Sequence, residues 1–474
     1  MQSFDLAVIG SGIGGSLISA LTSKNTHKTV ALFEKDKNLG GCATTFKKYG
    51  NFYNAGATTL VGYEDGHILK KHFNTIGIIP NISKSKIAIR VVQEDKIIDR
   101  VKDFEAFLST IEKTYPNKNN KLFWEKIKQI DEKFWQLQHI YYGKYSFKRY
   151  LKTTFFITEL LKNFQFDIFK TAQGFIKATL GDISKEYQNF IDAQLLITIQ
   201  TNSKDISLLS MALGLAYPFH DVFYVNGGMG SLIEQIVKDI EVKKNEEIKK
   251  IIQDGKNYVI QSSKNEYKTK QLVLNSSIYQ SARLFENKEI QNYYKSFSFS
   301  DQSAFVIYLT LDKQYDFLEH YQFIYKEFLP NCISNSFFVS FSKSDDEFLS
   351  KNGTSVTIST HTKANFWRYL ANYNEIKEET QEFIIKRFLE YFTSLKKENI
   401  SKIHSATSFT FNRYINRYNC GGKAIKFKNI TELPSCNTPF DGLYNVGDTV
   451  FAGQGWPGVA LGVDVLNKEL NGNS

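Results

Sequence analysis

The chain has 474 residues, 42% of them hydrophobic and 15% aromatic, with only seven prolines; this is material for a large core divided between two domains, and it excludes a disordered or fibrous protein. Four cysteines without a CxxC pair and eight scattered histidines without HExxH or other ligand spacing argue against a disulfide scaffold and against a metal centre, so no metal is expected. A formal charge of +10 suits nucleic acid or an anionic membrane face, but no RNP aromatic pair or zinc finger accompanies it and nucleic acid is not expected.

The N-terminus, MQSFDLAVIG, lacks a basic region and an apolar signal core, which with the unpaired cysteines points to the reducing cytoplasm. Residues 4–9 predict a short buried strand, since Leu6, Ala7, Val8 and Ile9 form an apolar run stopped by Gly10. Gly10-Ser11-Gly12-Ile13-Gly14-Gly15 and a helix carrying Leu17, Ile18 and Leu21 follow. In such a turn the first glycine makes the bend, the second lets backbone approach a pyrophosphate, and the third lets helix pack on strand. The helix N-terminus supplies free N–H groups and partial positive charge for phosphates. A second strand over residues 29–33 ends in Glu34, placed to accept hydrogen bonds from an adenosine ribose.

Next comes KDKNLGGCATTFKKYGNFYNAGATTLVG. Gly40-Gly41 brings backbone close to a ligand and Gly56 lies in a second glycine turn, features a simple NAD domain has no use for. Residues 101–224 read as a helical insertion rich in aromatics. Within it, Ile157, Leu160, Leu161, Phe164 and Ile168 predict one helical face, widened by Phe155, Phe156, Phe166 and Phe169. Lys144, Lys148, Arg149, Lys152, Lys162, Lys170 and Lys177 are opposed locally by Glu159 and Asp167 alone. This suits a helix lying in the headgroup layer of an anionic membrane, with an ordinary core helix and solvated lysines as the alternative. No apolar run reaches the roughly 20 residues that span a bilayer.

FYVNGGMGSLIEQI then joins a strand to a helix. Ile233 stands where a second dinucleotide motif needs its third glycine, so this turn reads as re-entry into the first domain and not as an NADPH site. A hairpin and the strand ending in VLNSS follow. Residues 301–404 carry SAFVIYLTL, SFFVSFS and TSVTISTHT, which alternate in period two as strands do. His361, ending the last of them, is the one side chain here that merits testing as a catalytic base. The chain closes with LYNVGD, a glycine-rich turn and a helix whose Val459, Val463, Leu466 and Leu470 share a face and whose first turn holds Pro457.

In matching order, GSGIGG, Glu34, GGCATTF, NAGAT, NGGMGSL, VLNSS and VGDTVFAGQGWPGVALG resemble the FAD-dependent phytoene desaturase, carotenoid isomerase and retinol saturase family, itself akin to the flavin amine oxidases. GGCATTFKKYGNFYNAGATTLVG paired with STHT looks nearest to the carotenoid isomerase and late-step carotenoid desaturase branch, while residues 100–205 match only loosely. The resemblance implies an α/β protein: a Rossmann-like FAD-binding domain of the glutathione-reductase type, made of residues 1–100, 225–300 and 405–474, with an inserted α+β substrate domain made of residues 101–224 and 301–404.

It further implies non-covalent FAD at Gly10, Gly12, Ile13, Gly14, Gly15, Glu34, Lys35, Gly41, Cys42, Thr45, Gly56, Ala57, Thr58, Ile248, Asn275, Gly447, Asp448, Gly455, Pro457, Gly458 and Val459. In this scheme Asp448 accepts a hydrogen bond from a ribityl hydroxyl and the last helix aims its N-terminus at the flavin pyrimidine edge. The implied chemistry is desaturation or cis-trans isomerisation of a hydrophobic polyene, or the reverse saturation of a lipid, by an enzyme attached peripherally to the inner membrane face. An amine oxidase is a second reading, weakened by Cys42, which stands where those enzymes usually carry arginine. Asn54 stands where the family usually has aspartate. A flavin-binding protein without turnover is the reading from another class. Covalent attachment through Cys420 is not expected, since a free cysteine is ordinarily a small buried side chain.

Overall fold

The computed structural model describes residues 1–298, 300–420 and 434–471. The apolar run at the N-terminus becomes strand Gln2–Ile9, fully buried at Leu6, Ala7 and Val8. It lies between Val30–Phe33 and Glu266–Leu274 and runs parallel to both. Burial on both faces explains why this strand shows no alternation. Glu241–Lys243 extends the sheet beyond Val30–Phe33, and the antiparallel hairpin of Ile248–Asp254 and Asn257–Ser262 extends it beyond Glu266–Leu274. The far end of Glu266–Leu274 exchanges that neighbour for Leu443–Asn445, which pairs in parallel with Leu272, Val273 and Leu274. Segments from the beginning, middle and end of the sequence thus make one sheet, with helix Ile13–Asn25 packed along helix Gly455–Leu470.

A second seven-stranded sheet runs in the order Ile400–Ala406, Gln302–Leu311, Ser355–Lys363, Ser336–Phe341, His320–Ile324, Ile89–Gln93 and Lys96–Arg100. The three strands expected from period-two alternation all lie in it. Residues 89–100, expected in the first domain, belong to this sheet instead, because Ile89–Gln93 hydrogen-bonds in parallel to His320–Ile324. Ile89, Val91 and Ile98 face the core beneath the helical layer while Val92 faces the opposite core, so the hairpin needs cover on both sides.

The helical insertion is present, and its helices start where the side chains can cap them. Asp103, Ser146, Thr171, Ser184 and Ser207 each accept a hydrogen bond from a first-turn N–H of the helix they precede. Helix Phe147–Phe164 buries Thr153, Phe156, Leu160 and Phe164, followed by Ile168 in a 3-10 turn. The expected face is therefore corrected: Leu161 and Phe155 point outward, because the buried stripe passes through Phe156 and not through its neighbour. No helix among the described residues is long and apolar enough to cross a membrane.

Arg100 ties the second sheet to the helical layer. It is fully buried, donates to Gln194 Oε1 at 2.8 Å and to the Leu215 carbonyl at 2.6 Å, and lies 4.5 Å from the ring centre of Phe107 and 5.4 Å from that of Trp124. Burial lowers the guanidinium to about 10, so it stays charged, held by ring faces and neutral acceptors. Arg100→Ala removes this packing and strands the Gln194 and Leu215 acceptors. It should lower unfolding free energy by about 3 kcal/mol in urea titration, with Arg100→Lys recovering only part.

Candidate dinucleotide site

The turn after the first strand is built around Ser11. Glu34 Oε2 accepts from the Ser11 N–H at 3.0 Å and from Ser11 Oγ at 2.6 Å, while Oε1 accepts from the Asp36 N–H at 2.9 Å. Ser11 Oγ in turn accepts from the Gly40 N–H at 3.1 Å. The expected carboxylate therefore stands at the glycine turn, joined to the Gly40-Gly41 pair by a serine the sequence reading passed over. A carboxylate has room for more acceptor contacts than these, so ribose hydroxyls remain compatible with it. A Cβ on Gly15 would overlap the Gly10 carbonyl, which is why the helix can pack so near the strand end only with glycine there.

Asn275 joins the two ends of the chain. Its N–H donates to Ile9 O at 2.9 Å and its Nδ2 donates to Gly10 O at 3.1 Å. A Cβ on Gly12 would stand 2.6 Å from Asn275 Nδ2, and a Cβ on Gly447, which has φ +113°, would stand 2.8 Å from Asn275 Oδ1. Gly14 lies against the same amide and against the Gly447 N–H. The opening and closing glycine motifs thus meet around one side chain at the strand ends, where sheets of this type bind their ligands.

Asp448, next in sequence, makes a two-pronged ion pair with Arg417: Nη1 to Oδ1 at 2.8 Å and Nη2 to Oδ2 at 2.5 Å. Arg417 Nη2 also lies 3.4 Å from Cys42 Sγ, and the arginine is only 4% exposed. Burial pushes the Asp448 carboxyl up, but Arg417 more than offsets this and holds it below its ordinary 3.8. Arg417 was not legible in advance; no motif marks it. It supplies a guanidinium beside Cys42, the position at which amine oxidases carry arginine in the chain itself.

Two helix N-termini at the site have no side-chain cap, at Gly12 and at Gln454. The second belongs to Gly455–Leu470, whose Pro457 sits in the first turn against Gly62, whose Gly458 closes on the Gly453 carbonyl, and whose Val459 is buried. By contrast, the helix Met229–Ile236 is capped by the protein: Met229 N–H donates to Asn54 Oδ1 and Gly230 N–H to Thr45 Oγ1, both at 2.9 Å. Those donors are committed, in keeping with chain re-entry rather than a second nucleotide site.

Four residues expected at the cofactor have side chains engaged by the protein in this structure. The Thr45 hydroxyl serves that helix start. Lys35 Nζ donates to Arg413 O at 3.0 Å and Asn416 Oδ1 at 2.8 Å, Thr58 Oγ1 accepts from Ser340 Oγ at 2.8 Å, and Ile248 is buried in the cluster with Ile9 and Phe33. Each was expected from the family resemblance, whereas the direction of its side chain here depends on strands far away in sequence. Gly56 and Ala57 do border the site, since the Ala57 N–H donates to Cys42 O at 3.0 Å. Burial pushes the Cys420 thiol up to about 11, which keeps it protonated and unreactive. For His361, desolvation lowers the ring to about 4, and the ring pairs with the backbone of Leu196.

Residues 8–75 match the family model described as an NAD(P)-binding Rossmann-like domain. The chain is 22% identical to prolycopene isomerase of Daucus carota over 506 aligned positions, covering 97% of this chain and 78% of that one. It is 24% identical to 4,4'-diapolycopen-4-al dehydrogenase of Metabacillus indicus, over 65% of this chain and 62% of that one. The chain resembles carotenoid isomerases along nearly its whole length. Among solved structures, an oxidoreductase from Methanosarcina mazei superposes with a TM-score of 0.64 at 20% identity, covering 98% and 99% of the two chains, and shares the fold.

The ion pair can be tested by pH. Asp448→Ala leaves Arg417 buried without its partner and should cost about 3–5 kcal/mol of stability. Because the folded carboxyl titrates below its ordinary value, the pair stabilises the protein fully above about pH 5 and loses its contribution as pH falls through the folded value. The unfolding free-energy difference between wild type and Asp448→Asn should therefore be flat near neutrality and shrink in acid.

Proposed function

We propose that the protein is an FAD-dependent oxidoreductase that desaturates or isomerises a hydrophobic, carotenoid-like polyene. The observation that carries this reading is the junction at Asn275, which sets the glycine turn at the start of Ile13–Asn25 against Gly447, next to Asp448, in a chain similar throughout to prolycopene isomerase. When bound, FAD supplies an acceptor for two electrons at an allylic C–H. The Gly12 turn would offer N–H groups to the pyrophosphate, Glu34 would accept from the adenosine ribose, and Asp448 would accept from the ribityl chain while Arg417 keeps it ionised. The N-terminus of Gly455–Leu470 would offer partial positive charge to the flavin.

The substrate side is built from the second sheet and the helical layer, and the division into cofactor and substrate units follows the two sheets. Phe46, Tyr53, Tyr308 and His404 form an aromatic cluster, with Tyr308 stacked on His404 at 4.8 Å and donating to the Ala55 carbonyl at 2.6 Å. Such ring faces exclude water and favour positive charge developing along a polyene. The helix Lys185–Ile199 brings His361 near the cofactor motifs: Leu196 meets His361, and the Thr198 carbonyl two residues on accepts from Gln454 Nε2 at 2.6 Å. Desolvation keeps His361 neutral at neutral pH and makes it a weaker base than a free imidazole.

Membrane attachment belongs to the same reading. Phe147 and Phe166 are 83% and 81% exposed, and Tyr150, Leu151, Phe155 and Phe169 are exposed with them. Of the expected cations, Arg149 and Lys152 turn inward to Glu469, and Lys170 pairs with Asp167; Lys144, Lys148, Lys162 and Lys177 remain on the surface. Aromatic side chains flanked by lysines suit insertion into anionic headgroups. At low salt the protein should sediment with vesicles containing anionic lipid and be released by salt or by Phe147→Ser with Phe166→Ser; equal binding to neutral vesicles, or none, refutes attachment by this face.

The function is tested by expressing the gene in hosts that each accumulate one carotenoid precursor and analysing the extracted pigment. A red-shifted product of lower mass identifies desaturation, and a product of unchanged mass with a new retention time identifies isomerisation. The purified protein should be yellow and release its flavin on acid precipitation. Colourless protein that takes up no flavin, or unaltered pigment in every host, overturns the reading.

A further inference from the structure

Beside the loop that leads into helix Ile68–Ile76, the fold gathers three residues whose sequence spacing gave no sign of a site. Glu64 and His67 come from that loop and His220 from the turn that closes the helical layer. One ligand atom from each lies within 4.8 Å of the others. Glu64 Oε2 is 4.0 Å from His67 Nε2 and 3.6 Å from His220 Nδ1, and the two imidazole rings stand at 82° with centres 5.0 Å apart. These separations are longer than hydrogen bonds. They approach the roughly 3.0–3.5 Å between donors that share an ion at bond lengths of about 2.1 Å.

The far side of each anchored group is already held. Glu64 Oε1 accepts from Lys102 Nζ at 3.0 Å and from the Asp221 N–H, which leaves Oε2 turned to the histidines. His220 Nε2 donates to Asp131 Oδ2 at 2.6 Å, and Asp131 Oδ1 accepts from Trp135 Nε1 at 3.0 Å. A histidine whose one nitrogen is fixed by a buried carboxylate while the other faces a second ligand has the arrangement of a carboxylate-histidine-metal triad. Glu64 and Asp221 are paired with the ammonium groups of Lys84 and Lys102, and Asp131 is paired with His220. Glu64 also lines an open pocket of about 450 Å³ together with Tyr63, Lys70, Lys102, Asp221 and Phe223.

We propose that Glu64, His67 and His220 bind a divalent transition ion of the zinc or iron(II) class, with Asp131 as the residue that positions His220. Two imidazoles and one carboxylate select such ions and leave coordination positions open. The loop that carries Glu64 rests through Gly62 on Pro457, so the ion braces the start of the C-terminal helix. This reverses the expectation of no metal. Glu64 and His67 are neighbours in sequence, but the third ligand arrives only when the helical layer folds back.

The test uses full-length protein freed of metal by chelator, titrated with Zn(II) in a calorimeter and analysed for retained zinc after gel filtration. Wild type should bind one equivalent. His67→Ala and Glu64→Gln should abolish retention, and Asp131→Asn should weaken affinity by about 10- to 100-fold, with flavin content and circular dichroism reporting on the fold. If His220→Gln does not fold, the half-buried His67 still decides. Failure of wild type to retain zinc, or equal retention by wild type and His67→Ala, overturns the site. Neither result depends on which polyene, if any, is the substrate.

Discussion

Everything at the dinucleotide site depends on how closely backbone can approach the Asn275 side chain. That amide occupies the end of strand Glu266–Leu274, between the turn after the first strand and the turn after Leu443–Asn445, and it donates to the Gly10 carbonyl. Side chains at Gly12, Gly14 or Gly447 would occupy its space. The glycines therefore do two things together: they expose N–H groups to a phosphate, and they let the opposite ends of the chain close on a shared polar hub.

The same economy of polar groups separates sites that are open to ligand from turns that are closed. At Gly12 and Gln454 the helix starts without a side-chain acceptor among the described residues. At Met229 the acceptors come from Asn54 and Thr45, and the turn is finished as structure. A glycine motif alone does not distinguish these cases; the acceptors that arrive from a distant hairpin do. Arg417 is a further example, since it converts Asp448 from a lone half-buried acid into half of a fixed ion pair beside Cys42.

Away from the cofactor motifs, less could be read. The runs in residues 301–404 are strands rich in β-branched and aromatic residues, although burial along them is nearly continuous and does not alternate. Residues 89–100 could not be assigned in the same way: their apolar residues serve two cores at once, and their sheet partner, His320–Ile324, lies far along the chain. The aromatic helix Phe147–Phe164 was recognised, but not its orientation, since phenylalanines occur on every side and only packing selects Phe156 over Phe155. The basic character of the same segment was read from counting, which could not anticipate that Glu469 would draw Arg149 and Lys152 inward.

Local order along the chain determined what local forces govern: the glycine turn and its helix, the acid at the end of the second strand, the proline in the first turn of the last helix, and the strands rich in β-branched and aromatic residues. These features follow from backbone sterics, helix-end hydrogen bonding and the burial of adjacent residues, so neighbouring positions carry the information. Tertiary structure alone decided which groups from remote segments face one another: Asn275 with Gly447, Arg417 with Asp448, Thr45 with Gly230, and His220 with Glu64 and His67. Such pairings depend on direction and sub-ångström distance across the packed sheets and helices, and no spacing within the sequence encodes them.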